Sequence, residues 1–159
     1  ETRLKNAKTV DFLGSTLISL STSSDIRILR KTGAKVRLIV SNPKNIEQQK
    51  FLAQIHLEIE TAKNLKQYVE SSLAQFRILQ GVDPSGGSVE VKVTDFPIPF
   101  SYMGVDTESP MGNIQIELYL TKAPVSQYPM FLLHSNVDTG WYETFKQQFD
   151  FYWENATKL

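Results

Sequence analysis

The chain has 159 residues, 41% hydrophobic and 21% charged, with 17 basic against 17 acidic side chains and a formal net charge of zero. That length can bury one core without covalent staples, and the composition lies outside the low-complexity, collagen-like and strongly charged disordered classes. Zero net charge gives no overall pull toward nucleic acid or anionic lipid, and the absence of cysteine excludes a disulfide framework, a thiolate metal site and a cysteine nucleophile. No apolar run is long enough to cross a bilayer, and Glu1 to Lys8 are polar and mixed in charge, unlike a signal sequence. These features read as one cytoplasmic domain over residues 1–159, belonging to a longer protein because no methionine opens it.

Thr9 to Leu13 is rich in β-formers and stopped by Gly14-Ser15, which predicts a strand ending in a tight turn. Ser23 or Ser24 then caps a short helix through Ile26 and Leu29 that ends near Lys31 and Gly33. Lys35 to Val40 is a second strand, closed by Ser41-Asn42-Pro43, and strand, helix, strand in so short a span implies a parallel pair. From Lys44 to about Gln80 there is no glycine or proline, and Leu52, Ile55, Ile59, Ala62, Leu65, Val69, Leu73 and Phe76 recur at helical steps, as one long helix or two in tandem.

After the loop Asp83 to Gly87 the period changes to two, with Val89, Val91 and Val93 predicting a half-exposed strand. Phe100 to Val105 and Asn113 to Leu120 read as paired strands with a turn around Ser109 to Gly112. Met130 to Leu133 is a continuous apolar run, the pattern of a central strand buried on both faces. Asp138 or Thr139 caps a last helix whose Trp141, Phe145, Phe149, Tyr152 and Ala156 form an aromatic docking face. The class is α/β, with a mixed sheet of about six strands flanked by helices.

Polar groups gather at a few places. Gly14-Ser15 and Ser41-Asn42 fall at the same edge of a parallel pair, where backbone amides and hydroxyls can hold an anion. His134 follows an apolar strand at its exit into a loop, with Asn136 and Asp138 close behind. His56 sits inside the long helix with Glu60 four residues on, a structural helical contact, and no second histidine completes a metal-binding pattern. Arg27, Arg30, Lys31, Lys35 and Arg37 form a basic cluster without the interleaved aromatics that stack bases, read as a solvated edge rather than a nucleic-acid surface. The common nucleotide, hydrolase and zinc-protease motifs are missing, and no cofactor signature is present.

With the elements in this order, the chain resembles one module of the phospholipase D superfamily, in the divergent form found as an accessory domain of prokaryotic regulatory proteins. The resemblance is carried by Val10 to Leu17, by Gly33 to Pro43, and by Pro129 to His134 followed by Trp141, Tyr142, Phe145, Phe149, Trp153 and Ala156. The superfamily signature HxKxxxxD aligns on Asp106 with Pro99 and Ser101 at the histidine and lysine positions, so the resemblance implies a module without its nucleophile and phosphate-holding cation. It implies a non-catalytic regulatory module that binds a small anionic ligand or assembles partners, with Gly14, Ser15, Ser41, Asn42, Ser101, Asp106 and His134 as ligand-binding residues and no metal. Two other readings compete with it. His134 with Asp106 or Asp138 would form a hydrolytic site shared across a homodimer, or the aromatic surface of the last helix would dock a protein partner.

Overall fold

The computed structural model describes residues 4, 6–57, 59 and 61–159. Its sheet has eight strands in the order β3-β4-β2-β1-β5-β6-β7, with β8 also on β4. The strands are β1 (Thr9–Gly14), β2 (Lys35–Ser41), β3 (Gly81–Val82), β4 (Ser88–Thr94), β5 (Phe100–Val105), β6 (Asn113–Leu118), β7 (Met130–His134) and β8 (Thr157–Lys158). The mixed α/β class is as expected, and two of the strands beyond the expected six are the two-residue pieces β3 and β8. β1, β2 and β4 run parallel, and β5, β6 and β7 follow antiparallel on the other side of β1.

The two faces of the sheet carry separate cores, because side chains alternate along each strand. Val10 and Phe12 of β1 and Val36, Leu38 and Val40 of β2 pack beneath helices α1 (Ile18–Thr22), α2 (Asp25–Lys31), α3 (Ile46–Ile55) and α4 (Ala62–Leu79). Leu13 and Ile39 face the other way, against α5 (Thr139–Asn155) with its buried Tyr142, Phe149 and Tyr152. Gly87 marks a close crossing at the entry to β4: a Cβ there would lie 1.9 Å from the Arg30 carbonyl oxygen, so no larger residue fits.

Of the two forms expected for the long helical segment, the structure has the tandem pair, α3 and α4, broken at His56 and restarted where the Thr61 hydroxyl caps α4 by accepting from the Asn64 amide. Three sequence expectations change. His56 is the C-cap of α3, not an interior helical residue, and Glu60 lies outside the described residues. β4 is an inner strand with Val89, Val91, Lys92 and Thr94 buried, not a half-exposed one. β7 is an edge strand, with Met130 and Phe131 exposed. Its apolar run reflects outward-facing side chains at a sheet edge rather than double burial.

Lys35 and Arg37 share one face of β2 but not one environment. Lys35 is exposed, but Arg37, one pleat further, is folded under α5. There its Nε and a terminal nitrogen donate to both oxygens of the buried Asp11 carboxylate at 2.6 and 2.7 Å, and its guanidinium stacks 4.9 Å from the Phe149 ring centre and 5.3 Å from that of Trp153. Burial pushes the Asp11 carboxyl up from its ordinary value despite this partner, so the charge is held at a cost. Replacing Arg37 with methionine leaves that carboxylate buried and alone, and should lower stability by about 3 kcal/mol in denaturant titration. Adding Asp11→Asn to the R37M variant should recover most of the loss, and no recovery would show that ring stacking, rather than the ion pair, dominates.

Candidate functional site

The carboxyl ends of the parallel strands meet helix ends and a returning loop, and a cavity of about 440 Å³ lies there. Ser15, directly after β1, is fixed by its neighbours. Its carbonyl accepts from the Ser41 hydroxyl at 2.6 Å and its amide donates to the Tyr119 hydroxyl at 3.3 Å. Its own hydroxyl is 2.9 Å from His56 Nε2. The His56 ring meets Tyr119 edge-on, with ring centres 4.8 Å apart. Two residues on, Leu17 holds a left-handed conformation at φ 51°, a sharp turn forced where the chain leaves the sheet for α1.

The loop after β6 closes this corner. Lys122, also left-handed, donates its amide to the Ile55 carbonyl at 2.7 Å and its ammonium to the carbonyls of Ala53 and His56 at 2.9 and 3.0 Å. A cation thereby satisfies carbonyls that the end of α3 leaves open. Burial, with the nearby Lys122 charge, lowers the His56 pKa below its ordinary value, so the imidazole is neutral at pH 7. Burial pushes the Tyr119 phenol up to about 12, which keeps it protonated. On the far wall Ser101 donates to Glu117 at 3.3 Å, and the remaining lining is mostly aliphatic, including Leu17, Ile59 and Val125.

Of the residues selected from sequence, Ser15 and Ser101 line this cavity. Gly14 ends β1 beside it, packed against Leu17. The Ser41 side chain is buried and spent on the Ser15 carbonyl and Gln49. Asn42 is likewise occupied: its amide group donates to Asp95 and its side-chain oxygen accepts from the Lys44 amide.

Asp106 and His134 lie at the opposite end of the sheet, where β1 begins, because β5 and β7 run antiparallel to β1. Asp106, with φ 47°, accepts from the Lys8 and Thr9 amides at 2.8 Å each and clamps the start of β1. The His134 amide donates to Asp138, and its carbonyl accepts from Val137 and Asp138 in the turn before α5. Asp106 and His134 are therefore both a strand's length from Ser15 and do not form one site with it. His56 and Tyr119 were the residues that sequence reasoning missed. The usable signal was Thr61, a helix-capping residue standing three positions before Asn64, which marks a helix start and hence a break near His56.

A second feature lies on the helical face. A groove of about 350 Å³ between α1, α2 and α4 is lined by Arg27, Ser71, Gln75 and the hydroxyl residues Ser21, Thr22 and Ser23. Arg27 and Lys31, one helical turn apart on α2, are both exposed, and neither has an ion-pair partner among the described residues. Arg30 between them is instead held by the carbonyls of Leu79 and Val82 and by Asp83. Among the described residues no helix is long and apolar enough to cross a membrane.

No family model and no curated protein matches the chain. Among solved structures it is similar to TrmBL2, an archaeal chromatin protein whose structure shows a novel mode of DNA binding, with a TM-score of 0.53 and 16% identity. The match covers 99% of this chain and 48% of that one, so the chain spans about half the length of TrmBL2. At that identity the likeness is one of fold. The matched protein is a chromatin protein, not a phospholipase D-like module, and this overturns the resemblance drawn from the strand and turn pattern. The phospholipase D-like ligand-sensing regulatory function that rested on it falls too, and the expectation of no nucleic-acid partner no longer stands.

The His56 shift has a measurable sign. Its folded-state pKa lies below the unfolded value, so its contribution to stability is complete above about pH 6.5 and is lost as the pH falls below that. The melting temperature of the native protein should therefore drop further between pH 7 and pH 5 than that of the His56→Gln variant. Equal drops would show that His56 is not held neutral by the fold.

Proposed function

We propose that this chain is a domain of a DNA-associated protein and that it touches the duplex backbone with the exposed cations of α2. The observation that carries this reading is the pair Arg27 and Lys31, exposed and without ion-pair partners among the described residues. Beside Arg27 the exposed Ser71 and Gln75 offer neutral donors, and arginine, lysine, serine and glutamine are the side chains that commonly bind phosphate oxygens. The fold likeness to a chromatin protein that binds DNA, over nearly the whole of this chain, supports the same reading.

Zero net charge sets the strength. With few phosphates neutralised, binding is weak, insensitive to base sequence and steeply reduced by salt, because its free energy comes from counterion release. Among the described residues that line the groove beside Arg27 none is aromatic, so intact duplex rather than single strand is the matching form. Fluorescence anisotropy with a labelled duplex of mixed sequence at low salt should give a Kd on the order of 10⁻⁴ M. The R27E/K31E variant should bind at least about tenfold more weakly, with a salt slope shallower by about two. No binding at low salt, or unchanged binding by R27E/K31E, would overturn the reading.

A further inference from the structure

The geometry points to a nucleophilic site in the cavity at the carboxyl edge of β1, with Ser15 as nucleophile, His56 as general base and Tyr119 as oxyanion donor, acting on neutral carboxylic esters with short aliphatic acyl groups. It stands independently of whether α2 meets DNA.

Three positions make the case. Ser15 Oγ is 2.9 Å from His56 Nε2, within the reach that proton transfer requires. With the Nδ1–H tautomer, Nε2 is the acceptor and the serine proton points at it. The Tyr119 hydroxyl lies beside the same serine, within reach of its amide, and the Tyr119 ring braces the imidazole edge-on. The Ser15 backbone is fastened by Ser41 through its carbonyl and by Tyr119 through its amide, so the hydroxyl is held rather than free to rotate away with the chain. His56 is fastened in turn, since Lys122 binds its carbonyl and two others of the same helix end. All of Ser15, His56 and Tyr119 line the cavity.

The protonation states suit those roles. An imidazole held neutral by burial can take a proton at pH 7, and a phenol held protonated can donate to a developing alkoxide. The step balances without any co-reactant other than water. Ser15 Oγ attacks the ester carbonyl carbon, its proton passes to His56 Nε2, and the carbonyl oxygen becomes an oxyanion that accepts from Tyr119. Collapse breaks the bond to the alkoxy group, which leaves with the proton from His56. Water, deprotonated by the same imidazole, then releases the acid and restores Ser15. The acyl pocket follows from the wall: Leu17, Ile18, Leu20 and Ile59 are aliphatic, while the Glu117 carboxylate disfavours anionic substrates.

The chain lacks the nucleophile-elbow sequence GxSxG. The arrangement was invisible in sequence for that reason and because forty-one residues separate Ser15 from His56. The strained Leu17 two residues after the serine places a sharp turn at the end of a strand, the position from which a nucleophile is presented.

The test is reaction of the native chain with an alkyl fluorophosphonate, followed by peptide mass mapping, and hydrolysis of p-nitrophenyl butyrate. A phosphonyl adduct on Ser15 is expected, absent in S15A, with labelling and hydrolysis slowed on the order of 100-fold in H56Q and in Y119F. Circular dichroism melting of each variant separates lost chemistry from lost fold. No adduct on Ser15 of the native chain under excess probe overturns the proposal, whatever the variants do. So does labelling that proceeds equally fast in a folded H56Q, or ester hydrolysis that persists unchanged in S15A.

Discussion

A bidentate ion pair lies on the sheet beneath α5, and the arrangement of that whole face follows from it. Asp11 and Arg37 stand opposite each other on β1 and β2, in the centre of the parallel pair. Taking two charges out of water is costly, and the cost is offset in part by double hydrogen bonding and by the faces of Phe149 and Trp153 over the guanidinium. Lys92 on β4 repeats the device, with its ammonium 4.3 Å from the Trp153 ring centre and donating to the Trp153 carbonyl at 2.7 Å. The aromatic stripe of α5 is thus a cover for cations as well as a hydrophobic face. Tyr102, stacked on Phe149, is pushed up in pKa by burial and by the Asp11 charge, so this layer holds its phenol neutral.

Fixing α5 over the middle of the sheet leaves its ends to the loops. The hydroxyl of Tyr152 donates to the Pro97 carbonyl and that of Tyr142 to Thr107, which ties the helix to the segments before and after β5. At the carboxyl edge of β1 the loop after β6 turns back onto the end of α3 through Lys122, and the cavity is the space that this closure leaves. Its polar groups are therefore contributed by elements on both faces of the sheet, which is why a buried serine, an imidazole and a phenol converge there.

Much of the frame was legible in the sequence because local chemistry decided it. Gly14-Ser15 and Ser41-Asn42 end their strands, Asp83 to Gly87 forms a turn, and period-two alternation sets the pairing of β5 with β6. What the sequence hid depended on tertiary neighbours. Arg37 reads as solvent-facing until α5 folds over it, and Met130-Phe131-Leu132-Leu133 reads as central because an apolar run does not say whether a further strand lies beyond it. His56 fell inside an unbroken helical period, since Ile55 and Ile59 keep the spacing across the break while the backbone does not. The family resemblance failed for a related reason: short strands ending in small polar turns are common to many α/β sheets, and they carry topology better than ancestry.

The dispersal of the expected site follows from strand direction. Residues after β1 and β2 collect at one edge because those strands are parallel, and that edge holds Ser15 and Ser41. From β5 onward each strand reverses, so the start of β5 brings Ser101 to the same edge while the end of β5 carries Asp106 to the other. β7 reverses once more and delivers His134 beside Asn113, at the Asp106 end. A histidine at the exit of a strand therefore joins a site only if its strand points the same way as the nucleophile's. His134 fails that condition, whereas His56, on no strand at all, reaches Ser15 because α3 returns from β2 and ends over the carboxyl edge of β1.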